Sequence, residues 1–162
     1  MLCSCNVQLY EGAPAKEFRS FEPYHSVCII GNFDVNIQSD LSSEIMLIAP
    51  EDAMSNLRSE IEEGRLIVYH NDDTGFYSQG VELYIRNDSL RKIELYGNVS
   101  FSGSLSNEDS LSLTYSGNGS VKCKTYSEFL KTTISGAPDV VFKGECLEHQ
   151  SDLQLDENGT AD

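Results

Sequence analysis

Tryptophan is absent from this 162-residue chain, prolines number four, and Lys and Arg together reach 11 against 26 Asp and Glu. Each scarcity removes a class of explanation. A net charge of −15 repels phosphate backbones and anionic headgroups, so nucleic acids and lipid surfaces are disfavoured as partners. The bland reading of the same charge is solubility; the sharper one is binding of cations or basic partners. The five cysteines, Cys3, Cys5, Cys28, Cys123 and Cys146, contain no C-x-x-C pair and are odd in number. That argues against a zinc site or a disulfide framework, with one bridge between Cys123 and Cys146 left open. No apolar run approaches the length of a membrane span. No Gly-x-Ser-x-Gly elbow, His-Glu-x-x-His pair or glycine-rich loop ahead of a helix is found, so no catalytic residue, metal or cofactor is expected. His25, His70 and His149 stand alone and read as strand or surface residues.

What is present is glycine in a pattern. Gly31-Asn32-Phe33-Asp34-Val35, Gly97-Asn98-Val99-Ser100-Phe101, Gly117-Asn118-Gly119-Ser120-Val121 and Gly136-Ala137-Pro138-Asp139-Val140 all read Gly-x-x-Asp/Ser-apolar. Gly97, Gly117 and Gly136 follow one another at steps of 20 and 19 residues. Such a step is the signature of stacked β-coils. The fold class is therefore expected to be all-β: a right-handed β-solenoid, β-helix-like, with coils of roughly 20 residues in the C-terminal half and a less regular N-terminal β region. Gly31, Gly97, Gly117 and Gly136 are expected at structural corners, because a strand follows Gly117-Asn118-Gly119 where a phosphate cradle needs a helix.

Period-2 apolar spacing marks the strands. Val27 and Ile29 precede a Gly31-Asn32 turn, and Phe33, Val35 and Ile37 follow it. Phe18 and Phe21 lead into the first strand. Ile45, Leu47 and Ala49 form another, closed by Pro50, and Val81, Leu83 and Ile85 a further one. Residues 51–63 have helical spacing, but Glu63-Gly64 suits a hairpin between strands at 57–62 and 65–69, with at most a helical turn near 52–56. Residues 1–17 read as a leader or tether and 18–162 as a single domain. The acidic stretch from Glu145 onward reads as a polar cap on an open end, or as a frayed tail.

Aromatic residues supply the candidate binding positions. Tyr69, Phe76, Tyr77 and Tyr84 flank the Asp72–Gly75 loop, and alternation turns Tyr96 outward beside Glu94. Phe76, Tyr77 and Tyr96 are the leading candidates, against the commoner reading of strand-face packing. Asp72 and Asp73 with Glu82 and Asp88 lack the spacing of a calcium loop, and no carboxylate pair stands out on one strand face. Leu2-Cys3-Ser4-Cys5 resembles the end of a bacterial lipoprotein signal and makes Cys5 the candidate lipidation site.

Three stretches carry a family resemblance. They are Phe21-x-x-x-His25-x-Val27-x-Ile29-x-Gly31-x-Phe33-Asp34-Val35, Glu63-Gly64-Arg65-Leu66-x-Val68 with Val81-x-Leu83-x-Ile85, and Leu90-x-x-Ile93-x-Leu95-x-Gly97. Together with Ser116-Gly117-Asn118-Gly119-Ser120-Val121, they make the chain resemble the bacterial family called putative auto-transporter adhesin, head GIN domain. Val99, Pro138 and Thr132 depart from its usual pattern. The resemblance implies a β-solenoid-like domain of the cell envelope, in the periplasm or on the outer-membrane surface, commonly behind a lipoprotein or secretory signal. The expected function is a non-catalytic adhesin or binding scaffold for an unidentified glycan or protein at the cell surface, touching the membrane only through a lipid anchor. A polysaccharide lyase or hydrolase on a β-helix, or a self-associating structural protein, are the alternatives.

Overall fold

The computed structural model describes residues 13–71, 81–106, 109–155 and 160–161. Strand accounts for 80% of it, and the sheet curls into an open half-barrel. The elements are β1 (Pro14–Ser20), β2 (Ser26–Gln38), β3 (Glu44–Pro50), the single helical turn α1 (Glu51–Met54), β4 (Leu57–Glu62), β5 (Arg65–His70), β6 (Val81–Arg86), β7 (Lys92–Ser106), β8 (Ser110–Leu155) and β9 (Thr160–Ala161). They form one sheet ordered β1-β3-β6-β2-β7-β8-β9, with β5 also pairing with β2 and β4 with β5.

Two pairing regimes share that sheet. From β2 toward the C-terminus every pairing is parallel and in step, Gly31 opposite Gly97 and Gly97 opposite Gly117. At the N-terminal end β1, β3 and β6 pair antiparallel, as do β4 and β5. The β4–β5 connection is a two-residue hairpin with positive φ at Glu63 (49°) and Gly64 (73°). This is the turn whose twist matches antiparallel strands. The hairpin with one helical turn is thus what residues 51–70 form. β1 begins at Pro14, so residues 14–17 belong to the sheet rather than to a tether and pair with β3.

The Gly31-Asn32 turn is corrected to a bend. β2 runs through it without reversing, and Val27, Ile29, Phe33, Val35 and Ile37 all point inward at 2% exposure or less. Period-2 alternation places Gly31 in the same inward row. With no side chain there, the strand can fold sharply and the next coil can lie against it. Gly97 (φ +107°) and Gly117 (φ +148°) show the consequence. A Cβ at Gly97 would lie 2.6 Å from the Gly31 carbonyl oxygen, and one at Gly117 only 1.9 Å from that of Gly97. Gly136 continues the column, where a Cβ would lie 2.2 Å from the Gly117 oxygen. The four glycines therefore stack in one column, and β8 coils back on itself.

The core is the inward face of every strand. Ile93, Leu95, Val99 and Phe101 of β7 overlie Val27, Ile29, Phe33 and Val35 of β2, and Leu113 and Val121 of β8 continue those rows. Tyr115 is 1% exposed, and its hydroxyl donates to the Val99 carbonyl at 2.8 Å, so the bend beside Gly119 keeps a partner for that oxygen. Ala53 and Met54 of α1 bury against the same core. Cys123 is buried, Cys146 is exposed and both are free thiols, which closes the question of a bridge between them.

Candidate functional site

The inward face is consumed by packing, so recognition falls to the outward side chains. The glycine column divides that face into two limbs. On the first, β5, β2 and β7 present Arg65, Ile67 and Tyr69, then Ser26, Cys28 and Ile30, then Lys92, Glu94 and Tyr96. Here the side chains close over one another. Glu94, 8% exposed, takes Arg65 at 2.9 Å, Lys92 at 3.1 Å and the Tyr96 hydroxyl at 3.3 Å. Cys28, its register partner, is 1% exposed beneath them, and burial pushes its thiol up. Burial, and then the charge of Glu94, raise the Tyr96 phenol as well. Tyr96 is outward beside Glu94, as alternation requires, but half-buried and tied to that carboxylate.

The second limb is open. Register pairings place Phe18, Met46, Tyr84, Asn36, Ser102 and Lys122 in one row crossing β1, β3, β6, β2, β7 and β8. At strand spacing of about 4.8 Å, the row spans roughly 24 Å. Two cavities lie along it, of about 610 and 350 Å³, and they share Asn36 and Tyr84, so they form one continuous trough. Phe18 is 59% exposed at one end, and the Tyr84 ring stands midway. Around them sit Lys16, Gln38, Asp40, Glu44 and Arg86 at the wider part, and Asp34, Glu82, Ser100 and Ser120 at the narrower.

One pair on the trough floor corrects the sequence reading. Asp34 and Glu82 are direct register partners on adjacent strands, although 48 positions separate them in the chain. Glu82 accepts a hydrogen bond from the Tyr84 hydroxyl at 2.8 Å, and that bond, then the carboxylate's charge, raise the Tyr84 phenol. Like carboxylates placed opposite each other weaken a sheet, so this pair is not there for stability.

The structure separates the expected site residues. Gly31, Gly97, Gly117 and Gly136 come together as a backbone column. Phe76, Tyr77 and Cys5 lie outside the described residues. Asn87 is 3% exposed; it donates to the Tyr24 carbonyl and accepts from the Ser89 amide, which makes a structural turn. Among the described residues no group of three His, Cys, Asp or Glu gathers as a metal site. Nor, among them, is any helix long and apolar enough to cross a membrane. Sequence reading missed Asn36, Gln38 and Met46 altogether. Their one signal was position: polar or half-polar residues alternating with core residues in strands already recognised.

Three solved structures illustrate what the fold is similar to. A putative cell adhesion protein from Clostridium sporogenes aligns at TM-score 0.57 and 13% identity, covering 92% of this chain and 97% of that one. A putative adhesin from Bacteroides fragilis aligns at TM-score 0.49 and 8% identity, covering 95% and 98%. One from Parabacteroides distasonis aligns at TM-score 0.49 and 11% identity, covering 96% and 99%. No curated protein matches the chain. The family model matches residues 23–161, nearly the whole sheet, and the chain belongs to the family described as putative auto-transporter adhesin, head GIN domain.

Proposed function

We propose that this protein is a non-catalytic binding module of the bacterial cell envelope, a right-handed β-solenoid-like scaffold that presents its outward trough to an external ligand. The observation that carries the reading is the row from Phe18 to Lys122: six strands contribute side chains to one open channel, while on the neighbouring limb Arg65 and Lys92 close over Glu94. An exposed Phe and an outward Met do nothing for the core, and apolar groups left at a surface cleft serve contact with something else. Membership of an adhesin-named family supports the same assignment and the envelope location. The test is retention of the purified chain on immobilised panels of glycans and cell-surface proteins. Retention on at least one ligand, reduced tenfold or more in a Phe18→Ala/Tyr84→Ala double variant, is the expected result; retention that ignores both substitutions overturns the reading.

A polysaccharide-cleaving enzyme is the second reading, favoured by the facing Asp34 and Glu82, since glycoside cleavage uses two carboxylates across the scissile bond. It requires product release from a polysaccharide, abolished by Glu82→Gln. Binding without release decides for the scaffold.

A further inference from the structure

We infer that the trough takes a neutral oligosaccharide, laid across the strands from Phe18 to Lys122. The inference rests on the binding-module reading and names the ligand class of that same site.

Direction is the first argument. The trough runs across the sheet; from β3 to β7 it passes over strands paired on both sides, and only Phe18 stands on an edge strand, β1, which pairs with β3 alone. A peptide bound to a sheet gains most of its affinity by adding a strand at an edge, through main-chain hydrogen bonds. That mode is unavailable from β3 to β7, so over this stretch an occupant is recognised by side chains.

The chemistry of those side chains is the second argument. Asn36 and Gln38, two residues apart on β2, present planar amides; Ser102 is the register partner of Asn36, and Ser100 and Ser120 present hydroxyls in the adjoining row, opposite Asp34. Amides and hydroxyls both donate and accept, which matches an alcohol group that also does both. Phe18 and Tyr84 stand on the β1 side of these polar groups, with Met46 as register partner of both. A pyranose ring offers the complementary pattern: hydroxyls at its rim and an apolar patch of C–H bonds on its face, which packs on an aromatic ring. Two rings followed by an amide and a hydroxyl along roughly 24 Å suit several sugar units in a row, whereas a compact ligand would fill one pocket.

Charge is the third. Lys16, Arg86 and Lys122 are interleaved with Asp34, Asp40, Glu44 and Glu82 around the trough, and Arg86 lies 4.0 Å from Asp40. Mixed signs at this spacing cancel and leave no field to select a polyanion or polycation, and the chain's charge of −15 repels acidic and sulfated polymers further.

The experiment is a glycan array carrying neutral, sulfated and uronic-acid oligosaccharides alongside acidic and basic peptides, probed with the full chain, followed by titration calorimetry on the retained probes. Neutral oligosaccharides of three or more units are expected to bind, with affinity rising with length and changing less than twofold between 50 and 500 mM NaCl. Phe18→Ala and Tyr84→Ala each weaken binding about tenfold, and Leu147→Ser, remote from the trough, leaves it unchanged. Phe18 is mostly exposed, so its removal tests the site even if Tyr84→Ala fails to fold. Binding confined to sulfated glycans or peptides overturns the neutral-saccharide assignment and leaves the binding-module reading standing, provided the substitutions still abolish it. Binding insensitive to both substitutions overturns both.

Discussion

The same three strands, β2, β7 and β8, run on either side of the glycine column, yet the outward faces they make are opposites. On one side Arg65, Lys92 and Tyr96 converge on Glu94 and bury Cys28, a thiol on a nominally exposed row. On the other, Asn36, Ser102 and Lys122 leave a trough that β6, β3 and β1 extend with Tyr84, Met46 and Phe18. Backbone geometry is shared, so the difference lies in the neighbours. The first limb gains the β4–β5 hairpin and its charged rim, while the second gains three strands carrying aromatic and sulfur-containing side chains. One limb is largely closed by its own contacts; the other stays open.

Breaking the hinge between them should have the largest effect. Gly117→Ala forces a Cβ to 1.9 Å from the Gly97 oxygen at a φ of +148°. A loss of about 3 kcal/mol is expected, lowering Tm by roughly 6–12 °C in thermal denaturation followed by circular dichroism. Gly64→Ala is the contrast: positive φ but nothing within 4 Å of the new Cβ, hence strain alone and about 1 kcal/mol. Equal losses for the two would refute the stacked column as the source of the constraint.

The core common to both limbs predicts alkaline sensitivity. Burial pushes Tyr24 and Tyr115 up to about 12 from 10.0, so the folded chain holds those protons where the unfolded chain has released them. Their stabilisation is full below pH 10 and is lost as pH rises toward 12, about 2 kcal/mol for each. Urea midpoints should fall steadily across that window, more shallowly in Tyr115→Phe; a flat profile contradicts the assignment.

The sealed limb can be opened selectively. Glu94→Gln removes the carboxylate that gathers Arg65 and Lys92, at a cost of about 1 kcal/mol, and should speed alkylation of Cys28 several-fold. Cys146, exposed and outside the cluster, is the internal reference and should keep its rate. A Cys28 rate that does not move means the cluster is not the lid. Smallest of all, Phe18→Ala in the open limb should change Tm by less than about 2 °C, because the ring is already 59% exposed. A larger loss would make Phe18 a packing residue and weaken its place in the trough.

Much of the fold was legible because it rests on local rules repeated. Glycines at steps of 20 and 19 announced the coils, alternation announced β2, β3 and β6, and Glu63-Gly64 announced the hairpin. The start of β1 was less legible, because Pro14–Ser20 alternates between exposed and only half-buried residues and shows little apolar contrast. The trough was not legible at all. Tyr84 and Asn36 look like ordinary outward residues until the parallel pairing of β2 with β6 sets them side by side.

Alone, then, the sequence determined a periodic all-β chain with its bends at glycine, since conformational freedom and period-2 burial are properties of neighbouring residues. Which outward residues meet was decided only in three dimensions. Pairings of Phe18 with Met46, Met46 with Tyr84 and Asp34 with Glu82 join segments 28 to 48 positions apart, and no local rule reaches that far. The corner glycines stack at the bend of the sheet, and the limb on one side of that bend carries the open trough.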